Sequence, residues 1–245
     1  MARRMTRSSR LALWSGARLA SWVPPPTPER RSVTATFTPR TIADAIPRSA
    51  NRTTRITSEV ATVLGFTLLT ALLAQVRIHL GFTPVPITGQ TLGVLLAGTA
   101  LGWSRGALSQ GLYWILGIVM PFPWFAGDKT GSSIHAGWKV ATGPTAGYLA
   151  GFVVAAAVVG YLAERKQDRN LATSLPAMLF GTAIIYAFGV AWLAHSLGVP
   201  VANGQTNAIS LGMTPFIVGD SIKVLIAGGA APLAWKFVKR ADHQA

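Results

Sequence analysis

From Asn170 to Gly219 the chain carries no Asp, Glu, Lys or Arg, and no other feature restricts its folding as much. Soluble domains average about 25% charged residues. A run this long without one cannot keep a solvated face turn after turn. It belongs in lipid, where the backbone must satisfy its own hydrogen bonds and only helices or closed barrels persist. The neighbouring sequence agrees, because apolar segments of helix length follow one another from Ser58 onward. A spanning helix needs about 20 residues. The pattern predicts an all-α integral membrane protein with six transmembrane helices, near residues 58–80, 88–103, 105–120, 143–163, 174–197 and 214–238. The second and third are short, and only Trp103-Ser104-Arg105 separates them, so a tight helical hairpin is expected. On the first helix Ala61/Gly65 and Thr67/Ala71 stand at the small-xxx-small spacing that lets helices approach closely.

Charge sets the domain limits. The formal charge is +14, yet residues 1–55 hold 11 Arg against only Glu29 and Asp44, which is +9 of the total. The basic character therefore belongs to a tail and not to a folded face, which excludes a nucleic-acid partner. Residues 1–55 are rich in Arg, Ser, Thr and Pro and lack an apolar period, so a disordered N-terminal extension is expected, with the membrane domain at 56–240. An organellar transit peptide, or a true start further along the chain, is the alternative for this segment. Orientation follows from the loops. With the tail inside, the inner connections and C-terminal end hold Arg105, Arg165, Lys166, Arg169, Lys236, Lys239 and Arg240, while the outer ones hold Lys129 and Lys139. The excess of basic residues inside predicts cytoplasmic termini at both ends of a multi-pass protein of the cell membrane.

Within the last span, "GDSIKVLIAGG" (219–229) carries Asp220 and Lys223. Their i, i+3 spacing puts both on one helix face. Ionisable groups inside a span are costly and face the bundle interior or an aqueous cavity. They form either a private ion pair or a ligand site, in which the lysine receives a carboxylate and the aspartate accepts from ring N–H groups. Gln90 opens the second span and Tyr148 lies early in the fourth, and each either orients a polar ligand or bridges helices. Tyr113 reads as packing. "GFTPVPITGQ" (81–90) is a stiff entry, since each proline biases its predecessor toward extended backbone. The loop "PFPWFAGDKTGSSIHAGWKVATGP" (121–144) supplies Trp124, Phe125 and Trp138 as interfacial anchors or ligand contacts. "GPTAGY" (143–148) turns into a helix whose glycines serve ligand approach or helix packing.

Other chemistry is excluded. There is no cysteine, and His79, His135 and His195 lack metal-ligand spacing. "GDKTG" (127–131) lacks the phosphate-loop spacing, and no catalytic constellation can be assembled. No cofactor, metal or catalytic residue is expected.

"PVPITGQTLGVLLAG" (84–98), "RGALSQGLYWILGIVMPFPWFAG" (105–127), "GPTAGYLAGF" (143–152) and "PFIVGDSIKVLIA" (215–227) stand in that order. Together they make the chain resemble the BioY family, the biotin-binding S components of energy-coupling-factor (ECF) vitamin importers, over roughly residues 58–238. The resemblance implies six membrane helices, a biotin site near the outer face, and partnership with a transmembrane T component and a pair of cytoplasmic ATPases. It makes the small-residue face of the first helix the T-component contact and leaves self-association open. The candidate ligand contacts are Asp220, Lys223, Gln90, Tyr148, Phe125 and Gly127. Two departures stand out: "GPTAGY" replaces the usual "GPTGGY", and the outer loop carries the extra "DKTGSSIH". An S component for another small carboxylate vitamin is the alternative, and an intramembrane enzyme using Asp220 and Lys223 is a further one.

Overall fold

The computed structural model describes residues 39–45, 51–120, 124–126 and 137–242. Among these, six helices of 12 residues or more form the bundle: α1 (Arg52–Gln75), α2 (Gln90–Leu101), α3 (Trp103–Val119), α5 (Ala146–Glu164), α6 (Leu171–Leu197) and α8 (Ile217–Asp242). Two short helices, α4 (Trp138–Ala141) and α7 (Ala208–Gly212), sit in the connections. The strands β1 (Arg77–Ile78) and β2 (Ile87–Thr88) pair antiparallel. Four stretches are long and apolar enough to cross a membrane: Arg52–Gln75, Ala146–Glu164, Leu171–Leu197 and Ala208–Val238. The segments expected as second and third spans are helical but have only 12 and 17 residues.

The boundaries differ from the sequence reading for local reasons. α1 starts at Arg52, inside the stretch assigned to the extension, because the Asn51 side chain accepts from Thr53 N at 3.0 Å and caps it. It ends at Gln75, not near 80, because Val76 turns extended and the next two residues pair with Ile87 and Thr88. Arg77, expected within the span, therefore adds a positive charge to the end read as outer. Gly89 N–H closes this corner by donating to the carbonyls of Leu73 and Val76 at 3.1 and 3.0 Å. Between α2 and α3 the whole turn is Gly102, and Trp103–Arg105 already lie in the first turn of α3. Gly102 has φ +85° and ψ −179°, a conformation open essentially to glycine alone, and a Cβ there would meet Glu164 Oε1.

α5 is the hub. It packs against α2, α3 and α6 and buries Leu149, Phe152, Ala155, Ala156 and Val159. The approach to α2 is close enough that a Cβ on Gly98 would stand 2.7 Å from the Ala156 carbonyl oxygen. α1 is peripheral. Its buried stripe is Val63, Thr67, Thr70, Ala71 and Ala74, while Val60, Leu64, Leu68 and Leu72 are exposed. Of the small pairs, Thr67/Ala71 faces the bundle and Ala61/Gly65 faces out.

Hydrogen bonds gather one set of helix ends. Trp103 N–H donates to Glu164 Oε1 at 3.1 Å, and Trp235 Nε1 donates to Asp168 Oδ2 at 2.5 Å. Residues 39–45, also within the expected extension, join them: Arg105 reaches Thr41 Oγ1 at 3.0 Å and Asp44 Oδ1 at 2.8 Å, and Arg169 donates to the Pro39 carbonyl at 3.0 Å. Burial alone would push the Asp44 carboxyl up, but Arg105 and Thr41 together hold it below the usual carboxylate range. At Asp168 burial wins over Trp235 and Arg169, so that carboxyl is raised. The other end holds the β hairpin, residues 124–126, α4 and α7. Thr83 Oγ1 ties the hairpin loop to the Leu211 carbonyl at 2.6 Å.

Candidate functional site

The cavity at this second end is walled by α2, α5, α6, α8, the hairpin and residues 125–126, and it encloses about 670 Å³ of non-atom space, its open mouth included. Its apolar wall includes Val85, Pro86, Phe125, Val140, Leu149, Phe152, Ile185 and Phe216, and its polar groups are Thr88, Gln90, Thr91, Thr145, Tyr148, Tyr186, Asp220 and Lys223.

α8 begins at Ile217, three residues later than expected, because Thr214–Phe216 form a 3-10 turn around Pro215. Asp220 is thus in the first turn, where the helix dipole favours an acid. At 1.5 Å per residue, Asp220 and Lys223 lie about 5 and 9 Å along the helix from Ile217. Lys223 Nζ meets Asp220 Oδ1 at 2.6 Å, with both side chains largely buried. The same oxygen accepts from Thr91 Oγ1 at 3.0 Å, and Oδ2 accepts from the Tyr186 hydroxyl at 2.5 Å. A carboxylate offers about four acceptor positions, so these donors leave little more than one. An ammonium has three donors, and one of those on Lys223 goes to Asp220.

Gln90 is the first residue of α2, carried into the interior by the closed corner at Gly89. Its Nε2 donates to the Tyr113 hydroxyl at 2.6 Å and its Oε1 accepts from Thr88 Oγ1 at 2.8 Å. Tyr113 does pack, fully buried against Trp124 and edge-on to Phe125, and its hydroxyl also sets the Gln90 amide. The Tyr148 ring lines the cavity while its hydroxyl bridges to the Gly212 carbonyl at 2.6 Å. Phe125 is buried over Gly117.

Five of the six expected contacts, Asp220, Lys223, Gln90, Tyr148 and Phe125, thus border one cavity. Gly127 lies outside the described residues, as do Lys129 and His135. Trp124 is buried and donates to the Tyr113 carbonyl at 2.7 Å, whereas Trp138 is exposed on α4. In "GPTAGY" the glycines serve packing: Gly147 admits the Trp192 side chain, and the Gly143 carbonyl accepts from Trp192 Nε1 at 2.9 Å. Sequence reasoning missed Thr91, which neighbours Gln90, and Tyr186, which only the fold brings to Asp220.

A helical bundle with several membrane-spanning helices, holding a polar-lined cavity at one end among the described residues, defines a membrane protein of the solute-binding kind. Residues 43–240 match the model of the BioY family, and the chain belongs to that family. It is 38% identical over 175 residues to the "Biotin transporter BioY" of Rhizobium etli, covering 69% of this chain and 87% of that one. It is 39% identical over 162 residues to the protein of the same name from Thermotoga maritima, covering 66% and 86%. In fold it is similar to the crystal structure of the S-component for biotin from an ECF-type ABC transporter, with a TM-score of 0.63 and 24% identity over 77% of this chain and 95% of that one.

Proposed function

We propose that this protein binds biotin from the outer side of the cell membrane and delivers it inward as the S component of an ECF-type importer. Family membership supports the assignment, and the Asp220–Lys223 pair is the observation that carries it. Two charged groups stand largely buried at the cavity wall, where a purely structural pair is often as stably replaced by hydrophobic packing. Biotin has a ureido ring with N–H donors and a carbonyl, an apolar thiophane and a carboxylate tail. Lys223 and Gln90 retain donors for the carbonyl or carboxylate, and Asp220 retains acceptor capacity for an N–H. Phe125, Leu149 and Phe152 suit the thiophane and chain. Gly127 belongs to the same proposed contact set through its place in the family motif.

In this reading all six long helices cross the membrane, the short α2 lying inside the bundle and α3 at its side. Both termini are cytoplasmic, and the membrane domain expected at 56–240 extends back to the start of α1 at Arg52, with residues 39–45 clipped to it. The partners are a T component, docked on the outward small-residue face of α1 at Ala61 and Gly65, and a pair of cytoplasmic ATPases. The test is equilibrium binding of biotin to the purified protein in detergent, with other carboxylate vitamins as competitors. Saturable binding that biotin alone displaces is expected, and displacement by another vitamin at lower concentration overturns the assignment.

A further inference from the structure

Tyr186 and Asp220 border two hollows at once. One is the cavity. The other is a groove on the far side of the same pair, between α6 and α8, whose walls include Leu179, Ala183, Ala187 and Val224. Both helices belong to stretches able to cross a membrane, and Leu179 and Ile217 in the groove wall are exposed, so the groove faces lipid. Small residues on α6 leave the seam unfilled: Ala183 and Ala187 offer no bulk where a Leu or Phe would close it. What stands between the two hollows is polar, the hydrogen bond from the Tyr186 hydroxyl to Asp220 Oδ2. The other carboxylate oxygen is held separately by Lys223 and Thr91.

We infer that Tyr186 is a positioning residue, which holds the Asp220 carboxylate toward the cavity and closes the α6–α8 seam against the bilayer. The positioning half rests on the biotin reading, and the closure half does not. Without the hydroxyl, Oδ2 loses its donor and the carboxylate gains a route to the membrane face. A hydrophobic carbodiimide, which dissolves in the bilayer and modifies carboxyl groups there, reads this without any ligand.

The experiment uses the full chain in lipid vesicles with dicyclohexylcarbodiimide, and modification of Asp220 is followed by mass spectrometry. Asp220→Asn is the labelling control. Slow modification of the wild type is expected, with Tyr186→Phe modified at least several-fold faster. Equal rates overturn the closure. Rapid modification of the wild type overturns it too, whatever the variant does, and the melting curve of Tyr186→Phe confirms that its faster labelling comes from a folded protein. In parallel, Tyr186→Phe keeps the ring and its packing, so the protein should stay folded with a modestly lower melting temperature while biotin affinity falls about tenfold, the usual effect of removing a hydrogen bond to a charged group. Wild-type affinity in Tyr186→Phe overturns the positioning role. Absence of biotin binding in the wild type sinks the functional reading instead, and the labelling arm still decides the closure.

Discussion

Asp220 and Lys223 were legible because a charge in an uncharged stretch is conspicuous. Tyr186 was not, since a tyrosine on an apolar helix carries no sign that its hydroxyl will meet a carboxylate 34 residues away. At Tyr148 the two expected roles separate by atom: the ring lines the cavity while the hydroxyl bridges to the Gly212 carbonyl. Removing one member of a buried pair costs about 3–5 kcal/mol, because its partner stays charged and unmatched. Every 1.4 kcal/mol is about tenfold. Lys223→Ala and Asp220→Ala should therefore each weaken biotin binding by about a hundredfold or more. The double replacement by Leu and Met should stay folded yet fail to bind, and titrations alongside melting curves check both. A folded double variant with near-native affinity would make the pair structural only. Tyr113→Phe should cost about 1 kcal/mol of stability, since Gln90 Nε2 loses its acceptor.

Helix positions were readable from hydropathy, but their ends were not. A hydropathy window cannot sense that Val76 leaves α1 because Ile78 has a partner at Ile87. Nor can it see that one glycine suffices to turn α2 into α3. Gly102→Ala should destabilise the protein by about 1–3 kcal/mol, since it puts a side chain in a glycine-only conformation against Glu164. Gly65→Ala, with open space around it, is the control that should leave the melting temperature unchanged or slightly higher. The clip between residues 39–45 and α3 has a pH signature. The folded Asp44 carboxyl lies below its ordinary value, so its contribution is present above the unfolded value near 3.9 and is lost as pH falls through the folded value. Asp44→Asn should flatten that acid limb of the melting-temperature profile. Asp168, raised by burial, acts the other way, favouring the folded state at the acid end of its own range and less so as pH climbs through its folded value.

For the whole molecule, the class and the family motifs were readable from one chain, while the limits of the membrane domain were not. A basic, proline-rich composition suggested an extension to residue 55, yet Thr41 is buried and Asp44 is paired with Arg105. Deleting residues 1–38 should leave biotin affinity intact, whereas deletion through residue 45 should lower the melting temperature; equal effects from the two would mean the clip contributes nothing. The native chain has no cysteine, so single cysteines report orientation. Thr142→Cys should react with an impermeant thiol reagent from outside and Gln167→Cys should not; the reverse pattern inverts the proposed topology. The cavity also has a consequence for biosynthesis. Its polar wall is assembled from β2, α2, α5, α6 and α8, which leave the ribosome in that order, and the acid and the base arrive last. A nascent chain arrested before α8 already has Gln90, Thr91 and Tyr186 in the bilayer, but no charge for the vitamin to meet. In the proposed site, capture therefore waits for α8, and a product truncated before Ile217 should fail to retain biotin, which binding to such a truncation checks.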